Sequence, residues 1–382
     1  AGNGIRLSGG YEDFRICMES LGIPVVTGWD SIDAIEDEHS LYVGRGGIMG
    51  DRAGNFAVQN ADVILAVGNR LSIRQVGYNL KTWAREAYVI MVDVDPAELK
   101  KTTLHVEKPV CADAKEFFRQ MNKELKQEIC PVFVDKSWLA QCRKWKETYP
   151  VTQPKHWKED GKYANVYAFV RYLSQSLPEK NMTVVSNGSA CVVGSHNYVI
   201  KKDARFLINS AVASMGYGLP AAIGACIASD RQTTICLEGD GSIMMNLQEM
   251  QTIVQNKLPV QFVVFSNEGY GAIRQTCKNF FKGEYIGCTP DTGVSFPDFE
   301  DVARTFGREY RICRTNEEVE ASVRWLIQSD KPVLLEVCQR FDDPVTPKVM
   351  SRLDENGKMQ SPALQDMYPF LDKEELIKIM WD

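Results

Sequence analysis

The chain has 382 residues, 44% of them hydrophobic and 25% charged, with a net charge of −6. This is the composition of a globular protein long enough for two or three domains, and we expect two. An acidic balance without a long basic run excludes a nucleic-acid footprint and gives no pull toward anionic membranes, and no apolar stretch is long enough to span a bilayer. The 11 cysteines include no C-x-x-C pair and are scattered singly, as in Ala225-Cys226-Ile227 and Ile235-Cys236-Leu237. Reduced, buried thiols in a cytoplasmic protein explain that usage. Position 1 is alanine and no signal segment opens the chain, so we expect the numbering to start inside a longer polypeptide or after processing.

From Gly22 to about Leu125, short β-branched runs alternate with helical stretches, and Ile23 to Thr27, Val63 to Val67 and Tyr88 to Val92 are strand candidates. Strands alternating with helices predict a parallel sheet covered on both faces. Residues 126 to 162 are rich in charge, Trp and Pro, and read as a helix-bearing linker. A second alternating segment follows, with strand candidates at Thr183 to Ser186, Arg205 to Ile208, Thr233 to Leu237, Val260 to Phe265 and Val333 to Val337. The expected fold is therefore α/β, with two doubly wound parallel-sheet domains over 1–130 and 163–342, joined by a linker at 131–162. After Phe341 the chain turns polar, with Pro344, Pro347, Pro362 and Pro369 ahead of a short helix near Lys373 to Met380. Residues 343–382 read as a solvated C-terminal tail.

The most informative residues lie in the second domain. Gly239-Asp240-Gly241-Ser242 closes a strand-like run, the segment from Ile243 to Gln255 reads as a helix, and the next apolar run ends at Asn267. Asp240 and Asn267 are thus expected at the carboxyl ends of adjacent parallel strands, where open α/β sheets bind ligands. A carboxylate and an amide oxygen suit Mg²⁺, which takes about six oxygen ligands and is commonly held by one or two protein groups together with substrate phosphates. Asp-Gly pairs alone are ordinary turn chemistry. The strand, the spacing, the Asn and the second strand together make the signal specific.

The stretch GDGSIMMNLQEMQTIVQNKLPVQFVVFSNEGYG resembles the signature of thiamine diphosphate (ThDP) enzymes, Gly-Asp-Gly followed by a distant Asn. The resemblance implies a metal held by Asp240, Asn267 and the Gly269 carbonyl, with Gly239, Gly241, Ser242, Tyr270 and Gly271 around the cofactor. ASMGYGLPAAIGA (213 to 225) is similar to the stretch that contacts the bent cofactor, and Met215 falls where an apolar side chain wedges between its rings. SNGSA (186 to 190) matches the place where the family lines the diphosphate, which assigns Asn187, Gly188 and Ser189 there. In acetolactate-synthase-like members Ala272, Ile273, Arg274 and Gln275 would face the reacting carbons. Arg274 and Gln275 are candidates for a substrate carboxylate or, equally, for a solvated helix face.

LYVGRGGIMGDRAGNFAVQNADVILAVGNRLSIRQVG (41 to 77), followed by MVDVDPAEL and CADA, resembles the central domain of acetolactate synthases, which binds FAD in a structural role. That resemblance makes Gly47, Arg70, Arg74, Asp93 and Asp113 candidates for touching FAD or another adenine nucleotide. The glycines of this stretch do not form a dinucleotide fingerprint by themselves. The opening AGNGIRLSG looks like the start of that domain's first helix. No residue matches the glutamate with which the family's first domain activates the cofactor. The expectation is a chain inactive alone, with that domain on a longer polypeptide or a partner chain, and at least a homodimer when complete. The expected activity is decarboxylation of a 2-oxo acid such as pyruvate, followed by transfer of the remaining carbons to an acceptor carbonyl.

Two other classes bear on the same residues. Asp93-Val94-Asp95 after an apolar strand superficially resembles haloacid-dehalogenase-type phosphatases, but Met244, Met245 and Asn246 stand where those need a further Asp. A non-catalytic remnant that binds ThDP, or only supports an assembly, is the non-enzyme alternative.

Overall fold

The computed structural model describes residues 1–127, 136–158, 161–353 and 356–380. It divides into two compact units: Ala1–Val151 together with Thr346–Asp382, and Thr152–Val345.

Among its described residues unit 1 contains five strands in parallel pairings, β1 (Val25–Thr27), β2 (Tyr42–Arg45), β3 (Val63–Val67), β4 (Tyr88–Asp93) and β5 (Lys108–Cys111), besides a two-residue antiparallel pair at Arg352–Leu353 and Met359–Gln360. They form two pieces, β1-β2 and β3-β4-β5, rather than one continuous sheet. β2 and β5 carry Gly44 and Pro109, and no alternation or β-branched run announces them. Helices flank the strands. Phe14, Met18 and Phe118 bury one face with Val67 and Val92, and Trp83 buries the other with Ala66 and Met91.

Residues 346–382 belong to this unit and are not a solvated tail. Leu364 and Met367 are only 2% and 0% exposed. The reason lies in the helix Arg52–Gln59, whose buried polar side chains need partners. Asn55 donates to the Leu364 carbonyl at 3.1 Å, Arg52 to the Met367 carbonyl at 3.3 Å, and Gln59 to Gln365 Oε1 at 2.6 Å. Each of the two apolar side chains contributes about 2 kcal/mol by leaving water. Of the expected linker, residues 131–135 and 159–160 lie outside the described residues, and the helix Lys136–Thr148 packs Cys142 and Trp145 against Phe56 within unit 1.

Unit 2 has six parallel strands: β6 (Met182–Val185), β7 (Arg205–Ile208), β8 (Thr234–Gly239), β9 (Val260–Ser266), β10 (Glu309–Cys313) and β11 (Val333–Cys338), in the order β10-β11-β9-β8-β6-β7. β6, β8, β9 and β11 are buried on both faces, as parallel strands under two helical layers must be. From β6 the chain moves to β7 on one side, then returns to β8 on the other. β6 and β8 therefore flank a topological switch point, whose diverging loops open a crevice at the carboxyl ends of the strands. Gly239 lies opposite Phe265 in register, so Asp240 and Asn267 leave neighbouring strands at nearly the same height.

The helix expected from Ile243 to Gln255 is two helices, Asp240–Ile243 and Glu249–Asn256. The break is held by the Asn246 amide, which donates to the Gly216 carbonyl at 2.8 Å. That bond ties the segment to the preceding glycine turn.

Candidate cofactor site

The site grows from three strand ends. After β8 the chain turns straight into the helix Asp240–Ile243, and Asp240 is 3% exposed. Its Oδ1 accepts the Gly241 N–H at 2.8 Å; its Oδ2 accepts those of Asn267 at 2.8 Å and Gly269 at 3.4 Å. Burial pushes the carboxyl up to about 6, and the backbone donors oppose that rise. Asp240 thus pins the turn after β9 to the end of β8.

Asn267 offers the chemical clue. Its Oδ1 is buried and has no hydrogen-bond partner. A buried acceptor left unsatisfied costs about 1–3 kcal/mol, and a cation beside it removes that cost. Gly269 has φ of +156°, and a Cβ there would stand 2.2 Å from the Cys288 carbonyl oxygen. Only glycine allows that turn. Space over Gly239 is open, since an added Cβ would meet nothing within 4 Å. Among the described residues no cluster of three His, Cys, Asp or Glu side chains could hold a metal. A hard cation at this turn would therefore depend on carboxylate, amide, main-chain carbonyl and phosphate oxygens, the donor set Mg²⁺ prefers.

A second layer was not foreseen from sequence. Glu238, the last residue before Gly239-Asp240, is fully buried; its Oε1 accepts the Leu219 N–H at 3.1 Å and its Oε2 has no partner. Burial pushes this carboxyl up to about 7. Ser186 and Ser242 join hydroxyls at 2.7 Å, and Ser242 also accepts the Gly216 N–H at 3.0 Å. These bonds lock the ends of β6 and β8 to the glycine turn. A Cβ at Gly218 would come within 2.4 Å of Glu238 Oε1, so the turn tolerates no larger residue. The available signal was a lone Glu directly after the apolar run Thr234-Ile235-Cys236-Leu237.

The remaining expected residues divide. Asn187 caps the helix Gly188–Asn197, accepting the Gly188 N–H and donating to the Ala213 carbonyl, which brings the β6 and β7 loops together. Ser189 Oγ accepts from Gln339 at 3.1 Å, and Met215 is 41% exposed on the glycine turn. Tyr270 accompanies Gly271 into the helix Gly271–Phe280, its N–H donating to the Cys288 carbonyl at 3.1 Å. Ala272 and Ile273 are exposed on that helix. Arg274 is not on a solvated face. It is 3% exposed, donates to the carbonyls of Asn267 at 3.1 Å and Phe341 at 3.0 Å, and stacks on the Phe341 ring at 3.7 Å. It braces the Asn267 turn from behind. Gln275 donates to the Asp343 carbonyl at 3.2 Å.

In unit 1, Gly47, Arg70, Asp93 and Asp113 fall at the carboxyl ends of β2, β3, β4 and β5. Asn55 bonds both the N–H and the carbonyl of Gly47, at 2.8 and 3.0 Å. The Arg74 guanidinium lies 5.3 Å from the Trp29 ring, and Arg70 pairs with Glu98 at 3.4 Å while remaining largely exposed. Asp93 accepts the Asp95 N–H and Asp113 those of Lys115 and Glu116, so each carboxylate caps its own turn.

The model of the thiamine pyrophosphate enzyme C-terminal TPP binding domain matches residues 186–337, which span this site, and the model of the central domain of thiamine pyrophosphate enzymes matches residues 1–121. The chain is 30% identical over 339 residues to the acetolactate synthase isozyme 2 large subunit of Escherichia coli (strain K12), covering 88% of this chain and 58% of that protein. It is 30% identical over 365 residues to acetolactate synthase 1, chloroplastic, of Zea mays (92% and 54%), and 29% identical over 349 residues to a probable acetolactate synthase large subunit of Methanococcus aeolicus (88% and 57%). It thus spans a little over half the length of these relatives. With a buried carboxylate and an orphaned amide oxygen meeting at the end of β8 and β9, and both domain models matched, the chain belongs to the thiamine pyrophosphate enzymes, related to acetolactate synthases.

Proposed function

We propose that unit 2 holds the diphosphate and Mg²⁺ of ThDP for an acetolactate-synthase-like 2-oxo acid decarboxylase and carboligase. The single observation that carries this reading is the buried, partnerless Oδ1 of Asn267, a residue whose main-chain N–H is held by the carboxylate of Asp240. Asp240, Asn267 and the Gly269 carbonyl would hold the metal; Asn187, Gly188, Ser189, Gly239, Gly241, Ser242, Tyr270 and Gly271 would line the diphosphate and Met215 the rings. When bound, ThDP supplies a nucleophilic carbon and an electron sink for decarboxylating a 2-oxo acid such as pyruvate. The protein's own part is positioning. Asp240 fixes two strand ends, Arg274 braces Asn267, and the serine pair holds the glycine turn against β8.

Activation of the cofactor needs a carboxylate on its pyrimidine side, and we assign that group to polypeptide outside these 382 residues, in the same chain or a partner, within at least a homodimer. The carboxyl edge of unit 1 is the proposed seat for FAD or another adenine nucleotide. The buried free thiols of Cys17, Cys142, Cys236 and Cys313 support a reducing, cytoplasmic setting. Among the described residues no helix is long and apolar enough to cross a membrane.

Calorimetric titration of this chain with ThDP, with and without Mg²⁺, tests the reading. Binding should require Mg²⁺ and vanish in Asp240→Ala. Equal binding without the metal, or in the variant, would sink it. The chain with ThDP, Mg²⁺ and pyruvate should release no CO₂.

A further inference from the structure

The helix Gly271–Phe280 is followed by a segment that runs back along it. At the far end the Cys277 carbonyl accepts the Gly283 N–H at 3.0 Å; at the near end the Cys288 carbonyl accepts the Tyr270 N–H at 3.1 Å. Between these ends the Tyr285 ring stands 6.0 Å from that of Phe341, which stacks on Arg274. Residues 283–288 therefore lie against the helix face that carries Arg274. Cys277, three positions further on, belongs to the same face.

Two thiols meet there. The chain closes tightly at Gly269, where an added Cβ would stand 2.2 Å from the Cys288 carbonyl oxygen and 2.6 Å from Arg274 Nη1. Burial pushes the Cys288 thiol up, and the Cys277 thiol beside it, in hydrogen-bonding contact, adds to the rise. Cys288 is 0% exposed, whereas Cys277 is half-buried and open to solvent on one side.

Cys313 and Cys338 supply the contrast. They too combine a buried and a half-buried thiol, on the neighbouring strands β10 and β11. Cys313 faces Val337 in register, so Cys338, the next residue, points to the other side of the sheet. The Cys313 thiol donates instead to the Thr315 carbonyl at 3.6 Å. Nearness along the fold is thus not enough, and the pair at the helix differs in that its thiols meet.

We infer that Cys277 and Cys288 are an oxidation site, at which a peroxide converts the two thiols to a disulfide that ties the helix Gly271–Phe280 to the segment behind the Asn267–Tyr270 turn. Cys277 reacts first because it is the one open to solvent. Its sulfur attacks one peroxide oxygen, the O–O bond breaks, and the departing hydroxyl takes the thiol proton and leaves as water. Cys277 is then a sulfenic acid. The Cys288 sulfur attacks the Cys277 sulfur, the S–S bond forms, the S–O bond breaks, and the hydroxyl leaves with the Cys288 proton as a second water. The thiols lose two electrons and the peroxide gains them. In a reducing compartment thiol exchange reverses the bond. Because the Cys288 carbonyl holds the Tyr270 N–H, closing residues 277–288 into a ring stiffens that turn. This inference is independent of the cofactor reading.

The test treats the full chain with hydrogen peroxide at two protein concentrations, alkylates the remaining thiols and maps the peptides by mass spectrometry. A Cys277–Cys288 linked peptide should form at peroxide levels at least ~10-fold below those that oxidise Cys313 or Cys338, because those two lack a facing thiol. It should form equally at both protein concentrations and disappear with dithiothreitol. In Cys288→Ser, dimedone should label Cys277 as the sulfenic acid; in Cys277→Ser, Cys288 should remain a thiol at the same dose. Amide exchange at Tyr270 should slow by at least ~10-fold in the oxidised chain. Conversion of Cys277 to a sulfinic acid without a linked peptide would overturn the inference, as would a link found only between two copies of the chain or unchanged exchange at Tyr270.

Discussion

The two units present the same kind of edge, the carboxyl ends of parallel strands, yet the expected ligand-binding residues are satisfied to different degrees. In unit 2, Asn267 Oδ1 and Glu238 Oε2 are buried without partners and the space over Gly239 is open. In unit 1, Asn55 satisfies both main-chain groups of Gly47, Lys101 bonds the Arg70 carbonyl, and Asp93 and Asp113 cap their own turns, while Thr27 Oγ1 and Trp29 Nε1 at the end of β1 are buried without partners. A buried polar group without a partner is tolerated where a ligand completes it, whereas an edge that satisfies itself gains less from one. The difference is between unit 2, where an amide and a carboxylate oxygen are left without partners, and unit 1, where the residues expected to touch a nucleotide already bond their own turns.

The comparison is most easily broken by removing what holds each unit. Leu364→Ala should cost unit 1 about 3 kcal/mol, because the side chain is 2% exposed in a packed cluster. Denaturant unfolding should register that loss while ThDP binding to unit 2 stays within twofold of the parent. Next in size, Asp240→Ala should weaken Mg²⁺-dependent ThDP binding by at least ~100-fold, since it removes a ligand and the clamp on Asn267 together. Asn267→Asp, which keeps an oxygen at the same place, should lose much less. Gly218→Ala should destabilise unit 2 by about 2 kcal/mol through its clash with Glu238, seen in thermal unfolding.

Acid separates the units more gently. His156 stacks on Tyr167 at 4.8 Å, and its Nδ1 accepts the Gln153 N–H at 3.1 Å. Burial, aided by the charge of Lys155, lowers its pKa to about 4. The unfolded chain takes up that proton first, near pH 6.5. The contribution of neutral His156 to unit 2 is therefore complete above pH 6.5 and is lost as the pH falls toward 4. Glu238 and Asp240, whose carboxyls burial raises, oppose this trend, so the test is the difference between chains: the unfolding midpoint of His156→Phe should rise relative to the parent as the pH falls from 7 to 4. Smallest of all, FAD titrated into this chain should bind at least ~10-fold more weakly than Mg²⁺-ThDP, because unit 1 must give up bonds to receive it. Tighter FAD binding would reverse the contrast between the two edges.

Asp240 and Asn267 were legible because each sits at a chemical boundary, where an apolar β-branched run meets a turn. Periodicity and spacing carry that information in one dimension. Glu238 was not, since a single carboxyl at the end of an apolar strand reads as a strand terminus facing water until Gly218 is known to press on it. The enclosure of Arg274 was hidden for a related reason: its helical position is ordinary, and only the approach of Phe341, 67 residues later, rules out a solvated face. The tail was obscured by its prolines, which conceal the spacing of Leu364 and Met367 against a helix more than 300 residues earlier. β2 and β5 are short and broken by Gly44 and Pro109, so the division of the unit 1 sheet could be seen only in the pairing.

The seating of residues 346–382 on the helix Arg52–Gln59 also orders events during synthesis. Unit 1 is discontinuous, and unit 2 is threaded into the chain between its two parts. A ribosome moving along this message completes the strands of unit 2 while the helix Arg52–Gln59 still waits for Leu364, Met367 and the carbonyls that Arg52 and Asn55 will bind. Unit 2 has all its strands on one uninterrupted segment and can mature first; unit 1 reaches its final packing only after residues 346–382 have been made.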